Sequence, residues 1–373
     1  MDIKPFGVEI WMNEFELKCA FNLGETCVES LTIAQLLDIA GQDESALAEL
    51  LPMKMTYGEI KGSDRLRSAI AGLYAGQTPE NILVTHGTIG ANSLVHQALV
   101  GRDDHVVAIV PTYQQHYSIP ESIGAEVSPL RLRSEDGFLP DLDALRALVT
   151  PRTRLIAINN PNNPTGALMD RAMLEAIADI AREADAWLLC DEVYRGTDQD
   201  GSGMTASVAD LYEKGISTAG MSKAFSLAGL RLGWITGPRQ MIEEVMIHRD
   251  YNTISVGMLD DHFAALALEH KDAILARSQR ITRGNLAILS DWVDNEPHVS
   301  WVKPKSGTTA LLKYHLDMSS RDFCVELLQE TGVLFTPGAA LDMEDHARIG
   351  YANGPEVLQA GLPLVSEFLR KRS

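Results

Sequence analysis

The sequence predicts an α/β fold: a mostly parallel central sheet flanked by helices, with a smaller α+β domain beside it. Three observations carry this. Short apolar runs alternate with longer helical patterns up to about residue 250. Beyond that point long helices dominate. The apolar runs also end, one after another, in clusters of Gly, Pro, Asn, Asp and Tyr. Such strand ends are where open parallel sheets keep their ligands.

In chain order, the first forty residues precede the alternation and carry a short helix of their own. They are assigned with the C-terminal part to the smaller domain, 1–35 and 256–373, leaving 36–255 for the larger one. Strands are expected at Asn81–Thr85, His105–Val110, Arg154–Asn159, Ala186–Asp191 and Leu232–Thr236. These are near-continuous apolar runs, as a sheet covered on both faces requires. Helices are expected at Ser63–Tyr74, Thr88–Val100, Asp141–Val149 and Met169–Glu183, where apolar residues recur at helical spacing. In the smaller domain the pattern predicts helices over Asp260–Trp292 and Ser320–Thr331 and a strand over Ala310–Tyr314.

Composition narrows the function. The chain has 373 residues, enough for two domains and a large core. Its 32 basic against 51 acidic residues give a formal charge of −19, which repels nucleic acid and anionic membranes. No apolar stretch approaches a membrane span, and no secretory signal is visible at Met1–Phe6, so a cytoplasmic protein is expected. Cys19, Cys27, Cys190 and Cys324 are scattered without metal-ligand spacing and read as reduced thiols. The histidines form no ligand pair either, so no metal is expected.

The segment from Ser217 to Trp234 is the most informative. It sets Lys223 among small residues and places Arg231 eight positions later, with Gly229 and Gly233 around it. A lysine condenses with an aldehyde, and an arginine clamps a phosphate. Together they suggest a ligand that carries both groups, namely pyridoxal phosphate. The strand ends supply what else such a ligand needs. Strand 81–85 runs into Gly87, Thr88 and Ile89 at a helix N-terminus, which suits a phosphate. Tyr113 follows strand 105–110 and could stack or merely pack. Asn163 sits between two prolines in the turn 160–166. Asp191 ends an apolar strand, where a buried carboxylate needs a partner such as a protonated ring nitrogen.

These features resemble the class I/II aminotransferases, the fold type I pyridoxal-phosphate enzymes. The likeness runs from about Tyr57 to Arg348 and rests on NPxNPTG at 160–166, DExY at 191–194 and SKxxxxxGxRxGW from Ser222. It implies an aminotransferase acting on an L-amino acid, in which Lys223 forms the Schiff base (an internal aldimine) and moves the α-proton. By the same resemblance, Asp191 holds the ring nitrogen protonated, Asn163 and Tyr194 bond the ring hydroxyl, and Tyr113 stacks. Gly87, Thr88, Ile89, Ser222 and Arg231 hold the phosphate. Tyr57 completes that site from a neighbouring subunit, implying a homodimer. Arg348 forks onto the substrate carboxylate beside Gly24 and Asn163.

The chain also departs from the family. Gly220 stands where many relatives have serine, and Asn22–Glu29 replaces a glycine-rich substrate loop. That loop and Arg249–Ser255 are similar to the capreomycidine-synthase-like branch, whose members cyclise a hydroxylated arginine. A lyase or cyclase acting on a hydroxylated or guanidino amino acid therefore stays open beside transamination with a keto acid. Glu25 and Glu29 are candidates to meet a polar or cationic side chain. Arg249 is the candidate cation for an acidic one. From another class, Gly220–Ala224 falls one residue short of a nucleophile elbow, and Asp342 with His346 would complete a serine-hydrolase triad.

Overall fold

The computed structural model describes residues 2–372. Its centre is a seven-stranded sheet: β1 (Ile82–Thr85), β2 (His105–Val110), β3 (Glu126–Arg131), β4 (Thr153–Asn159), β5 (Trp187–Asp191), β6 (Gly215–Gly220) and β7 (Gly233–Thr236). The order across the sheet is β1-β7-β6-β5-β4-β2-β3. All neighbours pair in parallel except β7, which runs antiparallel to both β1 and β6. The sheet is therefore mixed, with one reversed strand among six that run together.

Five of these strands lie where the apolar runs place them, within a residue. The two unexpected ones have clear reasons. β3 is an edge strand; its Glu-Val-Ser-Pro-Leu-Arg sequence has only one buried residue, and Pro129 is tolerated because an edge has no second neighbour. β6 is central and wholly buried, yet reads Gly-Ile-Ser-Thr-Ala-Gly. Its small residues admit close neighbours: a Cβ on Gly220 would lie 2.6 Å from Oγ1 of Thr88.

Two helix starts shift because a polar residue counted in the pattern is the cap and not the first turn. Ser63 accepts from the N–H of Leu66, and Asp170 from that of Met173. The expected helix 260–292 is two helices, Met258–Glu269 and Lys271–Asn295, with His270 leaving helical geometry between them. The break marks a change of partner. Phe263–Leu268 pack with Leu36, Leu66 and Trp234, whereas Leu286, Leu289 and Val293 join the core of the smaller domain.

That smaller domain is built on a four-stranded antiparallel sheet in the order Thr336–Pro337, His346–Gly350, Thr309–Tyr314, Val299–Trp301. The N-terminal segment packs against it. Phe21–Asn22 pairs in parallel with Val333–Leu334, and Trp11 donates its indole N–H to the carbonyl of Phe335 at 2.8 Å. Helix Gly7–Phe15 is also tied to the large domain: the N–H of Gly7 donates to Gln114, and the Gln114 amide donates to the carbonyl of Pro5. It thus bridges the two domains.

Candidate active site

The carboxyl ends of β4 and β5, the segment after β6 and the N-terminus of helix Gly87–Leu99 converge on a cavity of about 290 Å³. Lys223, Asp191, Asn163, Tyr194, Tyr113 and Ser222 line it. So do Thr88, Ile89, Arg231, Gly24, Glu25 and Arg348. Gly24 and Arg348, 324 positions apart in the chain, share one space.

Asp191 closes β5 and is buried. Its Oδ2 accepts from the Asn92 amide at 2.8 Å, and its Oδ1 from the N–H of Val193 at 3.1 Å. Asn92 is itself oriented by Thr218, whose hydroxyl donates to it at 2.6 Å. Asn159 ends β4 and ties the turn to the sheet: its amide donates to the carbonyl of Asp191, and its Oδ1 accepts the N–H of Asn163 at 2.7 Å. The Asn-Pro turn thereby holds the Asn163 side chain at the cavity.

At the other side, helix Gly87–Leu99 begins with no side-chain cap, and Oγ1 of Thr88 is buried without a partner. Arg231 reaches the same place from a left-handed turn, bonded to the carbonyl of Ala228 at 2.9 Å. A Cβ on Gly87 would approach its Nη2 to 3.2 Å. Unclaimed helix N–H groups, an unpaired hydroxyl and a guanidinium make an anion seat.

Lys223 donates to Thr26 Oγ1 at 2.6 Å and to Cys27 Sγ at 3.3 Å, with Glu25 Oε1 at 3.9 Å. Burial acts to lower the lysine, but the surrounding Cys27, Tyr194 and Glu25 carry it above its ordinary value. Burial pushes the Cys27 thiol up, so it stays neutral and Glu25 supplies the countercharge. For Glu25, burial is outweighed by Lys223 and by the N–H groups of Cys27 and Thr26, which bring its carboxyl down.

Arg348, on strand His346–Gly350, is buried. Its Nη1 donates to Asn163 at 3.3 Å and its Nη2 to the carbonyl of Gly24 and to Thr336, each at 3.1 Å. Nε has no partner, and burial lowers the guanidinium.

Three expectations do not hold. Glu29 lies outside the cavity, because its carboxylate faces Arg277 at 3.7 Å. Arg249 is buried and donates to the carbonyl of Ile60 instead of reaching the cavity, so it supplies no second cation there. Asp342 and His346 do not join Ser222 at the cavity, which removes the hydrolase triad. Tyr57 is 71% exposed and lies away from this chain's cavity.

The sequence reading also missed residues. Glu9 and Glu16, from the N-terminal helix and the turn after it, line the cavity. Glu9 accepts from the Tyr113 hydroxyl at 2.6 Å. Burial, then Glu25 and Glu9, push the Glu16 carboxyl up against the pull of Lys223. Nothing in a short acidic N-terminal helix signals this; only the fold brings it over the site. Asn92 did carry a signal, since it stands one helical turn after Thr88. Among the described residues no cluster of acidic, His or Cys side chains could hold a metal, and no helix is long and apolar enough to cross a membrane.

Comparison with known proteins gives a consistent result. A family profile described as aminotransferase class I and II matches residues 30–359. The chain is 32% identical to the capreomycidine synthase of Streptomyces vinaceus, over 97% of this chain and 93% of that protein. It is 29% identical to an arginine–pyruvate transaminase of Pseudomonas aeruginosa, over 85% and 83% respectively. A PLP-dependent aminotransferase from Streptococcus suis superposes with a TM-score of 0.97 at 42% identity, covering 100% of this chain and 99% of that one. A PLP-dependent cyclase, OrfR, gives 0.91 at 29% identity, with the same coverage.

Proposed function

Because the chain belongs to the class I and II aminotransferase family, we propose that it is an aminotransferase for L-amino acids whose side chains are cationic or otherwise polar. The cofactor is pyridoxal 5′-phosphate, and the residues present fit it. The anion seat of Thr88, Arg231 and the helix N-terminus suits the phosphate, with Ser222 close by. Asp191 would offer the ring nitrogen a buried carboxylate, Asn163 and Tyr194 would hold the ring hydroxyl, and Tyr113 would supply an aromatic face. When bound, the cofactor supplies an aldehyde for amines and a ring that takes up electrons from the α-carbon.

The rest of the chemistry belongs to the chain. Lys223 Nζ would hold the cofactor covalently and would serve as the base that moves the α-proton. Thr26 and Glu25, now bonded to or facing that nitrogen, hold it in the cavity. Arg348 receives the substrate carboxylate through its unpaired Nε and a rearranged Nη, a fork that sets the α-carbon against the lysine. Glu9, Glu16 and Glu25 line a cavity whose cations, Lys223, Arg231 and Arg348, have other duties. Such a wall favours a positive side chain and disfavours a second carboxylate.

One observation carries this reading: a single cavity holds Lys223, Asp191 and the anion seat together with Arg348 and its unpaired Nε. The test is borohydride reduction followed by peptide mass spectrometry. A pyridoxyl adduct on Lys223 is expected; one on Lys214 or Lys305 overturns the assignment.

A second reading is favoured by the likeness to capreomycidine synthase and to the cyclase OrfR. The same residues can release a side-chain group and close a ring, because the pocket and not the cofactor selects the bond. Product analysis with a keto-acid acceptor separates the two: transamination transfers the amino group, whereas cyclisation keeps every nitrogen in the product.

The homodimer is part of the proposal. Tyr57 is exposed, as are Leu51, Met55 and Tyr251, apolar surface that a second copy would cover while Tyr57 reached that copy's phosphate. Full activity in a monomer, by light scattering and assay at the same concentration, would overturn it.

A further inference from the structure

Helix Gly87–Leu99 buries an apolar row, Ala91, Val95 and Leu99, beside a polar one, Thr88, Asn92 and His96. Residues four apart share a face. Thr88 serves the anion seat and Asn92 bonds Asp191; His96 lies one turn deeper and has no part in the chemistry above. Its ring is fully buried. Its Nε2 lies 3.4 Å from Nδ1 of His116, and Nε2 of His116 lies 3.7 Å from Oδ2 of Asp191. Nδ1 of His96 and Nε2 of His116 have no hydrogen-bond partner. The cofactor-binding carboxylate is thus backed by two histidines in series, on two different helices.

Burial, with His116 adding to it, holds His96 well below its ordinary range, so this ring is neutral and carries one N–H. For a His116 that carries one N–H, the contact between the two rings allows two proton arrangements. In one, His116 donates from Nδ1; its bare Nε2 then faces the Asp191 carboxylate, and an N–H of His96 is stranded in the core. In the other, His96 donates from Nε2, His116 points an N–H at Asp191, and only a bare acceptor is stranded. The first sets lone pair against carboxylate and buries an orphan donor; the second does neither.

We infer that His96 is a positioning residue: by donating to Nδ1 of His116 it fixes that ring with its N–H toward Asp191. Asp191 then faces the His116 N–H in addition to its donors Asn92 and the Val193 N–H, a donor set suited to a carboxylate that meets a protonated ring nitrogen.

The test needs no turnover. In the full chain with 15N-labelled histidine, with and without cofactor, long-range 1H–15N spectra should show both His96 and His116 protonated at Nε2. In His96→Phe the His116 signal should become a mixture of tautomers. The dissociation constant for pyridoxal 5′-phosphate should then rise roughly five- to tenfold, the size of one net hydrogen bond. His96→Gln keeps an amide N–H for His116 and should restore both readouts. A wild-type His116 protonated at Nδ1 overturns the inference, and that spectrum is decisive even if His96→Phe fails to fold. So does a Phe variant that matches the Gln variant in tautomer and affinity.

Discussion

The floor of the cavity and its acidic wall are held in different ways. The floor hangs from strand ends, and its polar groups are bonded before any ligand arrives: Asp191 by Asn92 and Val193, Asn163 by Asn159. The wall hangs from a helix, a short turn and a loop. Glu25 is bound by its own loop and Glu9 by Tyr113, while the Glu16 carboxylate has no hydrogen-bond or ion-pair partner among the described residues. A preorganised floor suits chemistry shared by a whole family. The unpartnered Glu16 suits a residue whose partner is the substrate.

The largest effect should come from the floor. Lys223→Ala should cut turnover by roughly 10⁴-fold or more, since it removes both covalent attachment and proton transfer. Cofactor held through the phosphate alone should still be detectable in that variant by absorbance. Residual turnover near the wild-type rate would place the chemistry on another lysine.

Arg348→Lys comes next and joins the two regions. The charge survives but the fork does not, so KM should rise about 10- to 100-fold, the worth of a charged hydrogen bond. An unchanged KM for every accepted amino acid would put the carboxylate elsewhere.

The wall itself is probed by Glu16→Gln. The kcat/KM for arginine relative to a neutral analogue such as norleucine should fall about tenfold, with norleucine unaffected. Because the free Glu16 carboxyl is raised, its charge is lost at a higher pH than that of an ordinary glutamate. Affinity for cationic amino acids should therefore decline on acidification earlier than expected, and the Gln variant should lose that limb. Glu25→Gln should instead slow every substrate, because Glu25 holds the loop and faces Lys223. If aspartate and glutamate give the highest kcat/KM and both variants are silent, the wall is merely solvated. The smallest effect belongs to Tyr57→Phe, which should weaken cofactor retention by about 0.5–1.5 kcal/mol.

The same contrast explains what could be read from the chain. β2 reads straight off its apolar run, because a strand buried on both faces must be apolar throughout. The floor residues follow the strand ends, so Lys223, Asp191 and Asn163 were legible together with their motifs. β6 was not, because tight packing against Thr88 selects small residues over apolar ones. The wall was partly legible: Glu25 follows Gly24 in the loop read as facing the substrate, but Glu9 and Glu16 reach the cavity through an N-terminal segment packed by Trp11 onto Phe335. No local pattern encodes such a long-range contact. Glu29, a few residues beyond Glu25, turns outward to Arg277 for the same reason: direction is set by packing and not by spacing.

Gly350 shows what keeps the wall at its distance from the carboxylate anchor. It stands two residues after Arg348, its N–H donates to the carbonyl of Leu23 at 2.7 Å, and a Cβ there would lie 1.6 Å from the carbonyl oxygen of Glu25. Arg348 grips the same loop at the carbonyl of Gly24. Anchor and loop are thus two marks on one ruler, spaced by main chain against main chain. Swapping side chains in the wall would change which charge is accepted; changing the length of substrate accepted would require redrawing the ruler, and position 350 is where it would first break.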